Sequence, residues 1–110
     1  MIELNKKYVF HIPLYKLIGD ELILIDIEEI LENLFSQFNK NGYDSWYVTK
    51  VKAHYKSRAF DELLITIFTS SEEFPEVLFK KWFMENNNIL EQEAFAYESN
   101  DSMIIEEIKE

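Results

Sequence analysis

Every second residue from Lys50 to Arg58 is basic: Lys50, Lys52, His54, Lys56 and Arg58. The residues between them are mostly apolar: Val51, Ala53 and Tyr55. A strand points successive side chains to opposite faces, so this alternation demands an extended segment with one basic and one apolar face. The segment belongs to a longer stretch, Trp46 to Phe68, that reads as two strands joined by a polar turn at Ser57-Arg58. In the second of these strands Leu63, Ile65 and Ile67 share one face, and Leu64, Thr66 and Phe68 share the other. Val51, Ala53, Tyr55, Leu63, Ile65 and Ile67 are the expected core face of the hairpin. The basic row is then expected on the opposite, open face.

Upstream, Lys7 to Leu17 alternates and is rich in β formers, which predicts a first strand. Tyr8, Phe10, Ile12 and Leu14 lie on one face, Val9, His11 and Tyr15 on the other, and Pro13 removes one ladder donor. Gly19-Asp20 marks a turn, followed by a short return strand from Leu22 to Ile25. Asp26 and Glu29 have capping-box spacing. Ile27, Ile30, Leu31, Leu34, Phe35 and Phe38 then form one helical stripe, closed by Lys40 and by Gly42 as C-cap. Ser70-Ser71-Glu72-Glu73, with Pro75 in the first turn, predicts a second helix that Asn86-Asn87-Asn88 should stop. Ile89 to Tyr97 reads as a fourth strand. The acidic tail from Ser102 admits a short helix through Met103, Ile104 and Ile108.

The order β-α-β-β-α-β predicts an α+β, ferredoxin-like domain. It would have a four-stranded antiparallel sheet of order 4-1-3-2 with two helices on one face. Residues 1–98 form the expected single domain, and 99–110 an acidic C-terminal extension. The strand–turn–short strand–capped helix opening resembles the first half of a small uncharacterised bacterial ferredoxin-like family. So do the run Gly42 to Trp46 into a long hairpin, the Ser70-Ser71-Glu72-Glu73 helix start and Gln92-Glu93 before the last strand. The likeness spans residues 7–98, and the acidic tail and richer aromatic content depart from it. What the resemblance implies is a fold rather than an activity.

The 110 residues carry a net charge of −10, yet residues 40–58 hold five bases and one acid. Bulk acidity opposes non-specific nucleic-acid binding. Lysines on an edge strand guard against edge-to-edge aggregation. With no cysteine, disulfides and thiolate metal sites are excluded. Two histidines on strands separated by a third do not make a metal site, and two glycines in the whole chain leave no phosphate loop. No cofactor is expected. The N-terminal residues lack a signal-peptide apolar run, and no apolar cluster is long enough to span a bilayer, so a cytoplasmic protein is expected.

No motif identifies a reaction. The uncovered sheet face is the expected binding surface, formed by Val9, His11, Tyr15, Lys50, Lys52, His54, Leu64 and Phe68. The expected role is a non-catalytic module that dimerises or binds a protein partner through this face. A small pocket enzyme using His11 and Tyr15 as polar groups is an alternative. A third reading is an acidic nucleic-acid mimic, presenting Glu85, Glu91, Glu93, Glu98, Asp101, Glu106, Glu107 and Glu110 to a DNA-binding partner.

Overall fold

A computed structural model describes residues 1–70 and 72–109. Ser71, part of the expected second helix start, and Glu110 lie outside the described residues. The elements in chain order are β1 (Lys6–Pro13), β2 (Tyr15–Ile18), β3 (Glu21–Leu24), α1 (Glu28–Lys40), β4 (Trp46–Tyr55), β5 (Arg58–Thr69), α2 (Pro75–Leu90), β6 (Ala94–Ser99) and β7 (Ser102–Glu107).

The four-stranded ferredoxin-like arrangement is overturned. The main sheet has five antiparallel-paired strands in the order β4-β5-β1-β6-β7, and β2-β3 form a separate two-stranded sheet. Two local features produce the difference. After Pro13 ends β1, the chain does not continue as one strand; it turns into the β2-β3 hairpin, closed at its base by the Ile25 amide donating to the Leu14 carbonyl at 2.9 Å. At the other end, Ser102–Glu107 is a strand rather than a helix. It pairs with β6 from Ser99↔Ser102 to Ala94↔Glu107. This pairing lets Ile104 and Ile108 pack against the core while satisfying the backbone of β6.

One core holds the molecule together. β1 is central and buries Tyr8, Phe10 and Ile12, each 1% exposed or less. Around them pack Ile65 and Ile67 of β5, Phe95 and Tyr97 of β6, Leu34 and Phe38 of α1, and Phe79, Trp82 and Phe83 of α2. Phe10 stacks on Phe79 at 4.6 Å between ring centroids. Such offset ring pairs add to simple area burial.

α1 follows its apolar stripe, with Glu28 and Glu29 in the first turn and Lys40 in the last. Its expected cap is corrected: Ile27, not Asp26, occupies the N-cap position, and no side chain caps it. Burial of Ile27 in the core takes precedence over side-chain capping there. Gly42, with φ +82°, supplies the left-handed residue beyond the helix end. α2 runs through the three asparagines instead of stopping at them. Asn86 Nδ2 donates to the Trp82 carbonyl at 2.8 Å. Asn87 binds both the amide and the carbonyl of Gln92. At the helix end the Asn87 carbonyl accepts from the Glu91 amide and the Leu90 carbonyl from Gln92 Nε2, each at 2.8 Å, and the helix reaches Leu90, which is fully buried. The last-strand expectation shifts accordingly, from Ile89 to Ala94 as its start.

Candidate functional site

In an antiparallel ladder, directly opposed residues share a face. Trp46 opposes Ile67, Val48 opposes Ile65, Lys50 opposes Leu63, Lys52 opposes Asp61 and His54 opposes Ala59. Lys50, Lys52 and His54 therefore lie on the core side of the sheet, together with Trp46, which stacks on Phe35 of α1 at 4.9 Å, whereas Lys56 falls in the turn and Arg58 opposes Tyr55 on the other face. This corrects the expected placement of Lys50, Lys52 and His54 on the uncovered face. Lys50 and Lys52 both approach Asp61, Lys52 at 2.7 Å. The side-chain bond to Asp61 holds the Lys52 ammonium above its ordinary range, and Lys52 in turn holds the Asp61 carboxyl below its own.

Val51, Ala53 and Tyr55 consequently point the other way, opposite Glu62, Phe60 and Arg58. Past Val48 the β4 strand reverses its polarity: Lys50, Lys52 and His54 lie on the core side, and Val51, Ala53 and Tyr55 on the side without a helix, where β5 adds Phe60 and Leu64 but also Arg58 and Glu62. That uncovered face continues through Leu64, Thr66 and Phe68 of β5, Val9 and His11 of β1, and Ala96 of β6 to Met103 and Ile105 of β7. On this face Val9 and Thr66 are themselves buried. Tyr47 is 52% exposed, Tyr55 62%, Met103 51% and Ile105 66%. Lys7 Nζ sits 5.9 Å from the Phe68 ring centroid.

One polar cluster interrupts this surface at its centre. His11 lies on the middle strand, with Glu62 on one flank and Glu98 on the other. Its Nδ1 is 2.7 Å from Glu62 Oε1 and its Nε2 is 2.8 Å from Glu98 Oε2. Both carboxylates only accept, so occupying both ring nitrogens requires the doubly protonated imidazolium. Burial favours the neutral ring, but the bonds to Glu62 and Glu98 outweigh it, and the His11 pKa is raised from 6.5. Neither ring nitrogen is free to act as a general base.

Of the residues expected on this face, Val9, His11, Leu64 and Phe68 are brought together there. Tyr15 is not: it lies on β2, in the other sheet, and its carbonyl accepts from Gln92 Nε2 at 3.0 Å. His11 and Tyr15 therefore do not form a shared pair of polar groups. Sequence reasoning missed Glu62 and Glu98. The alternation of β5 puts Glu62 in the same set as Leu64, but Glu98 is joined to His11 only through the β1-β6 register.

A second exposed apolar surface is the β2-β3 hairpin, where Leu17, Ile18 and Leu24 are 50%, 47% and 67% exposed. The acids on the far side of the chain are partly paired: Glu91 with Lys16, Glu106 with Lys80 and Glu85 with Lys81. Among the described residues, no group of three or more His, Cys, Asp or Glu side chains is arranged to hold a metal ion. No helix among them is long and apolar enough to cross a membrane. No protein-family model matches the chain, and no curated protein matches it.

Proposed function

We propose that the protein is a non-catalytic interaction module whose uncovered sheet face docks on the same face of a second copy. The observation that carries this reading is the reversed polarity of β4 past Val48. Val51, Ala53, Tyr55 and Phe60 face the side without a helix, while Lys50, Lys52 and His54 face the core side. A strand pair whose apolar side looked only at water would have no reason for this arrangement. Apolar patches of this kind mark interaction surfaces.

The size fits a pair. Five strands at ~4.8 Å spacing and about seven residues of shared length give on the order of 550 Å² per copy. Two copies together bury roughly 1,100 Å², which clears the ~1,000 Å² expected of a biological interface and lies just below the standard size of stable complexes. A second copy requires no further component and places apolar strands against apolar strands.

Sedimentation velocity tests the reading. The protein should sediment as a dimer at micromolar concentration. Ile105→Lys, on the face, should weaken the dimer at least tenfold, and Leu24→Lys, on the β2-β3 hairpin, should not. A wild-type monomer throughout this range would refute the proposal. If only Leu24→Lys dissociates the dimer, the hairpin and not the sheet face is the interface.

A further inference from the structure

The Glu62–His11–Glu98 cluster sits at the centre of the face that closes in the proposed pair. We propose that it is a proton-linked gate: two faces close when His11 is doubly protonated in both copies and part when it loses a proton. This inference rests on the self-association reading above and adds its regulation.

The argument starts from geometry. Each ring nitrogen of His11 has its own carboxylate, at 2.7 and 2.8 Å. With both N–H groups present, one cation lies between two anions and every contact is a charge-assisted donor–acceptor pair. After loss of one proton, a nitrogen lone pair faces a carboxylate across the same short distance. The cluster then holds two negative charges with a single N–H between them.

In the free protein water reaches this cluster. The side chains of His11 and Glu62 are 17% and 16% exposed, and that of Glu98 is 41% exposed. A partner laid over the face removes that water. Taking unpaired charge out of water is costly, and the deprotonated cluster presents one more uncompensated charge per copy than the protonated one. A face-to-face pair brings two such clusters under one interface, so the difference counts twice.

The other charges facing His11 leave this balance in place. On β1 the nearest is Lys7, four residues along the strand, engaged over the Phe68 ring. On β5 the neighbour is Glu62, and Arg58, at the far tip, donates to the Asp20 carbonyl. On β6 it is Glu98. On β7 it is Glu107, opposite Ala94. β4 contributes no charged side chain to this face between Tyr47 and Tyr55. Both helices pack on the opposite side. The raised pKa of His11 places the transition above its ordinary value.

The test is sedimentation equilibrium from about pH 6 to about pH 8.5, a window in which carboxylates stay ionised. High salt screens the general repulsion of an acidic protein. Uptake of two protons per dimer makes the dissociation constant rise by up to about a hundredfold per pH unit above the His11 transition, and level off below it. His11→Gln should associate more weakly with no such slope. His54→Gln, altered at an exposed position on the other side of β4, should keep the wild-type slope. Calorimetric dilution of the wild-type dimer in two buffers of different ionisation enthalpy reads the proton count without any variant. Two protons per dimer are expected.

A dimer whose strength does not change with pH, a zero proton count, or a His11→Gln variant with the wild-type slope would overturn the gate and leave self-association standing. A wild-type monomer across the whole range, acid end included, removes the self-association reading itself and the gate with it.

Discussion

Trp82 Nε1 donates a 2.7 Å hydrogen bond to the carbonyl of Ile30, joining α2 to α1 across 52 residues of chain. Trp82 is 1% exposed and packs on both Phe79 and Phe83. The indole thus fills the space between the helices and also supplies a polar contact between them. Trp82→Phe keeps most of the apolar contact but removes the donor and some volume. It should cost about 2 kcal/mol, and Trp82→Ala about 3–5 kcal/mol. Urea unfolding followed by circular dichroism reads both. An unshifted midpoint for Trp82→Phe would show that the hydrogen bond contributes nothing net.

Two tight hairpin loops use residues poorly suited to them. Lys56 and Ser57 take φ +48° and +64°, and Asn100 and Asp101 take φ +51° and +64°. Two consecutive left-handed residues between directly paired strand ends are the signature of a type I′ loop, which favours Asn-Gly. Asn100 suits its position; Lys56, Ser57 and Asp101 do not. Ser57→Gly and Asp101→Gly should each stabilise the fold by about 1 kcal/mol, since relief of the left-handed strain exceeds the extra chain entropy of glycine. Thermal melts compare the variants directly. A lower melting temperature for either glycine variant contradicts the assignment.

The His11 cluster also links stability of the single chain to pH. The folded-state pKa of His11 lies above its ordinary 6.5, because the bonds to Glu62 and Glu98 overcome the opposing effect of burial. Its contribution is therefore fully present below about pH 6.5 and is lost as pH rises through the folded-state value. At concentrations dilute enough to keep the protein monomeric, the urea midpoint should fall as pH is raised across that interval. His11→Gln should show no fall over the same interval. A wild-type midpoint that rises with pH there would reverse the sign and exclude the protonated cluster.

Local patterns carried much of the secondary structure. The stripe from Ile27 to Phe38 specifies α1 because its spacing matches the helical period and its end charges suit the helix dipole. The alternation around Val51 marks a strand, and Gly19 marks the turn of the β2-β3 hairpin, where φ is +63°. The misreadings share a cause. Asn86-Asn87-Asn88 reads as a stop because asparagine has low helix propensity, but Asn87 ties Gln92, just past the helix, to its last turn, and Leu90 is drawn into the core beyond the asparagines. The tail from Ser102 admits a short helix through Met103, Ile104 and Ile108 when read alone; its strand conformation from Ser102 to Glu107 comes from the edge that β6 offers for pairing.

The candidate face divides in the same way. That β4 has one basic side and one apolar side follows from Lys50 to Tyr55 alone, since strand side chains alternate. Which side meets the helices does not. The docking of Trp46 against Phe35 and the opposition of Val48 to Ile65 set the parity of β4, and the ladder carries that parity out to Lys50, Lys52 and His54 beyond the helices. Likewise, the sequence by itself determined that His11 stands on the side of β1 opposite Tyr8, Phe10 and Ile12. Only the tertiary structure decided that Glu62 and Glu98 flank it, because contacts across 51 and 87 residues depend on the pairing register of three strands. Alternation along one strand is a local property of the backbone, whereas register between strands is decided by the packing of the whole sheet.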